Sequence, residues 1–257
     1  MKSLTSIVSV LLCVAASQAG AQLVSIPALG WNHDIVYGGG ELGQGISGSM
    51  DNGPGFFGAN WYGIGRNSSA LTTGLPIGPT VSVSTPTDLS FQLQPFAGGP
   101  NAVLLNANQS GLLTLTTQMP YFRLALIGST GNGTANDAIV VNYADGSSET
   151  FGGGAINQDW FFNDTNVAFI AQGRTTSSDG FSFDNVNNNQ PRLYQEIYTL
   201  GNTLSEVVSV GITNNGGGHS AIMAISGEAV PEPTSAFLLL AGTGALGLTR
   251  YRRRQVG

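Results

Sequence analysis

Ala138-Ile139-Val140-Val141-Asn142-Tyr143, then Asp145-Gly146, then Ser148-Glu149-Thr150-Phe151 is the stretch whose reading decides the fold class. Two runs rich in β-branched and aromatic residues flank a dipeptide that tolerates the positive φ of a tight type I′ turn. The segment therefore predicts a β-hairpin. The same grammar recurs along the chain. Further predicted strands are Val81–Ser84, Leu89–Gln94, Ala102–Leu105, Leu112–Thr117, Phe122–Ile127, Val167–Gln172, Leu193–Leu200, Glu206–Ile212 and Ala221–Ser226. Several alternate: Leu89, Phe91 and Leu93 point one way, while Ser90, Gln92 and Gln94 point the other. Leu113, Leu115 and Thr117 are set against Thr114 and Thr116 in the same manner. Gly supplies 37 of 257 residues, about twice the ordinary usage of roughly 7%, and these glycines punctuate short apolar runs. No stretch carries a 3.6-residue period with helix caps. Many short strands at regular spacing predict an all-β chain, a sandwich or a barrel, and of these an antiparallel, jelly-roll-like β-sandwich is the expected fold.

The two ends read differently. Lys2 begins a positive n-region, Leu4 to Ala16 is apolar, and Ala19-Gly20-Ala21 offers a cleavage site after Ala21. Residues 1–21 are thus expected to form a cleavable signal helix that engages the export machinery. The single cysteine, Cys13, lies inside this segment, so the mature chain can form no disulfide. Leu12 stands where a lipoprotein signal needs a small residue, which argues against lipidation.

At the C-terminus, Pro231-Glu232-Pro233 is followed by the apolar run Ser235 to Thr249, and then by Arg250, Arg252, Arg253 and Arg254. Each proline fixes φ, lacks an N–H and holds its predecessor extended, so this segment stays open to a processing enzyme. As a helix, Thr234 to Thr249 would span about 24 Å against a hydrocarbon core of roughly 30 Å. Arginine snorkelling and local thinning absorb that difference. The arginines place the terminus on the cytoplasmic side. The alternative, a buried core helix, does not account for an arginine-rich end. Triplet, apolar helix and basic tail together resemble the PEP-CTERM sorting signal. That resemblance implies processing by an exosortase, a membrane-embedded enzyme of Gram-negative bacteria. It also implies a route from the inner membrane to the cell surface or extracellular matrix.

Between these signals, residues 22–229 are expected to form one domain, with 230–257 as the sorting signal. The domain holds fourteen Asp and Glu against four arginines (Arg66, Arg123, Arg174, Arg192) and no lysine, a formal balance of −10. Such a surface excludes nucleic acid and anionic headgroups as partners, because both are bound by clustered positive charge. About 210 residues suffice for one well-filled core.

The domain carries a second, looser pattern. Gly74-Leu75-Pro76 is followed by Phe91-Gln92-Leu93-Gln94-Pro95-Phe96 and by Tyr121-Phe122-Arg123-Leu124-Ala125-Leu126-Ile127-Gly128. Then come Tyr143-Ala144-Asp145-Gly146-Ser147, Asp159-Trp160-Phe161, Arg192-Leu193-Tyr194 and Ala221-Ile222-Met223-Ala224-Ile225. This order is similar to galactose-binding-like jelly-roll modules of exported bacterial proteins. The resemblance implies two stacked antiparallel sheets, sugar-binding loops at one end and often a structural calcium ion. No ligand residue of that superfamily maps onto a numbered position here.

Gly38-Gly39-Gly40-Glu41-Leu42-Gly43 and Gly242-Thr243-Gly244-Ala245-Leu246-Gly247 both fit G-x-G-x-x-G. The first precedes more Gly and Ser instead of a helix, and the second lies in the apolar tail, so neither predicts a nucleotide site. His33 and His219 are the only histidines, too few for zinc without carboxylates. His33-Asp34 could orient a general base, yet no nucleophile motif accompanies it. Ser177 to Gln190 contains Asp179, Asp184 and four asparagines. These are oxygen ligands of the kind calcium takes, but without an EF-hand spacing, so a polar loop is the expectation. The sequons at Asn67, Asn108, Asn132 and Asn163 read as incidental in a bacterial chain.

Asp159 beside Trp160-Phe161-Phe162 is the one candidate ligand site. A carboxylate next to exposed rings can grip a sugar, whereas a period-2 strand would send alternate rings into the core. Asn60-Trp61-Tyr62 and Trp31 are subject to the same choice. The sequence therefore predicts a non-enzymatic, exported cell-envelope or matrix protein with an adhesive, structural or carbohydrate-binding sandwich, needing no catalytic metal or cofactor. Extracellular polysaccharide is its expected partner. The competing reading is a secreted glycan-active enzyme whose paired carboxylates the sequence does not single out.

Overall fold

The computed structural model describes residues 22–38, 46–63, 74–76, 79–81, 89–96, 99–162, 165–175, 183–185 and 190–230. The expected signal helix, Ala21, the Pro231-Glu232-Pro233 triplet, the apolar run and the terminal arginines lie outside them. Among the described residues, no helix is long and apolar enough to cross a membrane.

What is described is all-β. Nine strands form the main sheet: β1 (Val24–Ser25), β2 (Ala28–Leu29), β3 (Val103–Leu105), β4 (Gln109–Leu115), β5 (Tyr121–Tyr143), β6 (Ser148–Gly152), β7 (Val167–Ile170), β8 (Arg192–Thr199) and β9 (Val207–Ala229). Its spine is the antiparallel pair of β5 and β9, each 23 residues long, running from Tyr121↔Ala229 to Tyr143↔Val207. A straight strand of that length would part its ends by about 73 Å. Instead Val207 N–H donates to Met119 O at 3.0 Å, and Ala144 N–H donates to Glu206 O at 2.9 Å. Both ends of the ribbon therefore meet, and its middle doubles over.

The bend has a visible cause. Between Gly131↔His219 and Ala135↔Gly217 the register slips, with three residues of β5 opposing one of β9. Asn132 (φ 58°), Gly133 (φ 98°) and Gly217 (φ 92°) supply the positive φ that such a bulge needs. Gly218 allows the backbones to touch: a Cβ there would lie 2.1 Å from Gly133 O.

Each half of the ribbon gathers its own neighbours. Residues Arg123–Gly128 of β5 pair with β8, and the matching half of β9 pairs with β3 and β1. Residues 138–142 of β5 pair with β6, while the first half of β9 pairs with β4, which carries β2. The halves face one another across one core. Leu124, Leu126, Ile222 and Ile225 come from one half, and Ile139, Val141, Val210 and Ile212 from the other. Phe151 of β6 meets Tyr198 of β8 across the gap at 5.2 Å between ring centroids. This is a β-sandwich-like arrangement in which the same two long strands centre both layers.

A second core lies behind the first half. Ala125, Ile127, Ala221, Met223 and Ala224 pack there against Leu23, Ile35, Trp61, Leu89, Phe91 and Trp160. The N-terminal segment thus adds a layer of two-stranded pieces, among them Val36–Tyr37 with Trp61–Tyr62 and Gly48–Ser49 with Gly53–Pro54. Leu124 to Ile127 are consequently buried on both faces, whereas residues 137–143 alternate buried and half-buried. Met223 is the extra residue of a bulge between Ile127↔Ala224 and Gly128↔Ile222.

Two sequence expectations are corrected. Phe122–Ile127 and Ala138–Tyr143 belong to one strand, as do Glu206–Ile212 and Ala221–Ser226 apart from Glu206. The intervening Gly and Asn residues form the bulge, not chain-reversing loops. The Asp145-Gly146 hairpin exists, but not as a type I′ turn. Among the described residues around it only Gly146 has positive φ (85°). Gly146 N–H donates to Tyr143 O and Tyr143 N–H donates to Ser147 O, both at 3.0 Å. That is the three-residue loop with its glycine in the left-handed position. Asp145 Oδ1 accepts from Ser147 N–H at 2.9 Å and completes it.

Candidate functional site

The bend is where the N-terminal layer docks. Gly131 has no room for a side chain, since a Cβ would sit 1.9 Å from Met50 O. This contact seats the hairpin Gly48–Ser49/Gly53–Pro54, whose turn is set by Gly53 at φ 77°. Asn60 anchors its base, with Nδ2 donating to Gly48 O at 2.9 Å and Oδ1 accepting from Met50 N–H at 3.2 Å. Asp51 is thereby held at the turn.

The Asp51 carboxylate meets the Asn132 backbone and the side chains of Arg174 and Trp160. Arg174 Nη1 donates to Oδ2 at 2.8 Å, and Trp160 Nε1 donates to Oδ1 at 3.1 Å. The Arg174 guanidinium also lies 4.8 Å from the Phe161 ring centroid and 5.5 Å from that of Trp160, within cation–π range. Trp160 meets Trp61 edge-on at 5.4 Å. Burial pushes the Asp51 carboxyl above its ordinary range, with Arg174 and the Trp160 N–H opposing and Asp159 reinforcing the shift.

Asp159 sits on the same side of the bend. Its Oδ2 accepts from Gly133 N–H at 2.7 Å, and its Oδ1 from Phe161 N–H at 3.0 Å. The carboxylate thus ties the Asp159–Phe162 turn to the bulge. Trp160 is fully buried, so its ring belongs to the core. Among the described residues the exposed rings are Phe56, Phe57, Phe162 and Phe122, at 64%, 57%, 52% and 44% exposure; Phe162 closes the Asp159 turn, Phe56 and Phe57 follow the Asp51 turn, and Phe122 lies at the start of β5. Trp61 and Tyr62 are buried as well, and Trp31 donates from Nε1 to Ala28 O at 2.9 Å.

His33 stands on a bridge to Ala102, and His219 lies beside the Asp51 turn. Asp34 Oδ1 accepts from Asn101 Nδ2 and from Val36 N–H, and burial pushes its carboxyl up to about 6. Burial also holds His33 and His219 below the usual imidazole value, with Asp51 opposing the shift at His219. Among the described residues, no group of three or more His, Cys, Asp and Glu side chains is placed to hold a metal ion. Of the polar stretch Ser177 to Gln190, residues 183–185 pair with Gly173–Thr175, and Gln190 is also described. Asp179 and residues 186–189 lie outside the described residues.

Asp51, Arg174, Phe56 and Phe57 were not singled out by sequence reasoning. Asp51-Asn52-Gly53-Pro54-Gly55 is a turn signal in its own right, and two phenylalanines directly after it mark an exposed loop tip.

Set beside known proteins, residues 229–254 match the PEP-CTERM protein-sorting motif. The match implies an exported protein that is anchored in a membrane and then processed by an exosortase-type enzyme. No curated protein matches this chain. The matched segment starts at Ala229, the last residue of β9, so sheet and sorting motif share a boundary.

Proposed function

We propose that this chain is a non-enzymatic envelope or matrix protein whose sandwich binds extracellular polysaccharide through the bend of the β5–β9 ribbon. The observation that supports this reading is the placement of two features on one ribbon. One end passes from Ala229 into the sorting motif. The bend, where the Asp51 turn and the Asp159–Phe162 turn dock, lies ten residues away along β5, about 33 Å. While the tail is anchored in a bilayer, that geometry holds Phe56, Phe57 and Phe162 away from the membrane. Exposed rings on or next to two turns that Asp51, Arg174 and Trp160 tie together suit a polyhydroxylated chain, with rings against C–H faces and charged groups against hydroxyls. The galactose-binding-like resemblance, with its ligand loops at one sandwich end, points the same way. The reading needs no cofactor. Its destination is the cell surface or the extracellular matrix.

The test is retention of the exported full chain on immobilised envelope polysaccharide from its host, against the Phe56→Ala/Phe57→Ala/Phe162→Ala variant. Binding by the parent and at least tenfold weaker binding by the variant is expected. Equal retention of both would remove the bend from the binding surface.

A further inference from the structure

We infer that β9 sets an upstream limit on processing: the bond broken lies beyond Val230, and the Arg123–Glu228 ion pair is the clamp that fixes this limit. The inference rests on the reading that an exosortase-type enzyme processes this chain. A processing enzyme must take its substrate backbone extended and unpaired. β9 offers no such backbone. On one side it pairs with β5 through Ala125↔Ser226, Leu124↔Gly227, Arg123↔Glu228 and Tyr121↔Ala229. On the other, Ser25↔Ser226 and Val24↔Gly227 pair it with β1, and Ile26 N–H donates to Ile225 O at 2.9 Å.

Side chains lock the same segment. Residues Ile222 to Ser226 are at most 1% exposed. A Cβ on Gly227 would meet Ile26 and Tyr121 side-chain atoms at 2.6 Å, so even this glycine is enclosed. Arg123 Nε donates to Glu228 Oε2 across the pair, with the two side chains 24% and 11% exposed. The last described bond is Val230 N–H to Pro120 O at 3.1 Å. Pro231 has no N–H to continue the ladder, and its ring holds Val230 extended. Backbone pairing is thus described as far as Val230, the residue directly before the triplet.

Cleavage breaks one peptide bond. The new amine leaves on the tail fragment, and the acyl carbon takes water or the nucleophile of an acceptor. A break beyond Val230 leaves the whole of β9, its central strand, with the sandwich.

The experiment is mass-spectrometric sequencing of the C-terminal fragment of the chain recovered from a host that makes the enzyme. Three forms are compared: the parent, Arg123→Ala, and a form with six Gly/Ser residues inserted between Val230 and Pro231. The parent is expected to end at Val230 or later. The insertion is expected to move the end six residues along with the motif. Arg123→Ala, checked by its melting curve to be folded, is expected to add ends between Gly227 and Ala229. A parent product that ends inside β9 overturns the limit, and an unchanged end pattern in folded Arg123→Ala overturns the clamp. If every form retains residues 231–257, the processing reading itself fails, which is a different result from either.

Discussion

Gly131 and Met50 meet backbone against backbone: a Cβ on Gly131 would lie 1.9 Å from the Met50 carbonyl oxygen. Gly131 stands at the bulge that doubles the ribbon over, and Met50 begins the turn that presents Asp51. One close approach thus joins the fold's bend to the candidate site. Gly131→Ala must push two backbones apart, which costs about 1–3 kcal/mol. Gly133→Ala, two residues on, meets nothing within 4 Å but keeps φ 98°, and costs about 1–2 kcal/mol. The two separate in what they disturb. Thermal melts are expected to fall for both, while hydrogen exchange at residues 48–54 rises only for Gly131→Ala.

Arg174 ties Asp51 to the aromatic turn. Arg174→Met keeps much of the apolar stem but leaves the half-buried Asp51 carboxylate without its ion pair. The pair is partly solvated, with side chains 23% and 31% exposed, so the expected loss is about 1 kcal/mol, well below that of a dry pair. Double-mutant comparison with Asp51→Asn checks it. The two losses are expected to be less than additive, since both remove the same bond.

Asp137 gives the fold a pH dependence of opposite sign to ordinary acid denaturation. It is 2% exposed, accepts from Ser220 Oγ through Oδ2, and has no hydrogen-bond partner at Oδ1. Burial pushes its carboxyl up to about 6 from 3.8. The folded state therefore holds a proton that the unfolded chain releases. Its contribution to stability is greatest near pH 4 and falls as pH rises through 6. Asp34 adds a slope of the same sign. Asp137→Asn removes the charge and keeps the shape. Melting curves from pH 4.5 to 8 are expected to show the variant gaining on the parent as pH rises, with the gap levelling above about pH 7. A constant gap would contradict this assignment.

Phe56, Phe57 and Phe162 are exposed and are expected to contribute little to stability. Each change to alanine should alter it by about 0.5 kcal/mol or less. The triple variant is expected to melt near the parent while losing polysaccharide retention. That split separates a binding role from a packing one.

Much of this architecture was legible because period-2 patterning is a local property. Leu89, Phe91 and Leu93 are buried, and Ser90, Gln92 and Gln94 are more exposed, as their alternation predicts. The bend was not legible. Gly128 to Gly133 and Asn214 to Gly218 carry turn residues, and nothing local distinguishes a loop from a bulge in a continuous strand. Only the pairing of two segments far apart in sequence decides it. Trp160 illustrates the same limit at the site. Its neighbours Asp159 and Phe162 suggest an exposed turn, yet Trp61 and Asp51, about a hundred residues earlier, draw the indole inside. The sorting tail lies at the other extreme, readable from sequence because its triplet, apolar run and arginines are contiguous in the chain, where residues 229–254 match the sorting motif.

The most direct measurement compares the full chain with one ending at Val230, both carrying the N-terminal signal, by fractionation of the host and by melting of the recovered protein. The full chain is expected in the membrane fraction until it is processed. The shortened chain is expected as a soluble exported protein with an unchanged melting temperature. A shortened chain that still partitions and localises like the parent would contradict the central claim that residues 231–257 direct this sandwich to its place.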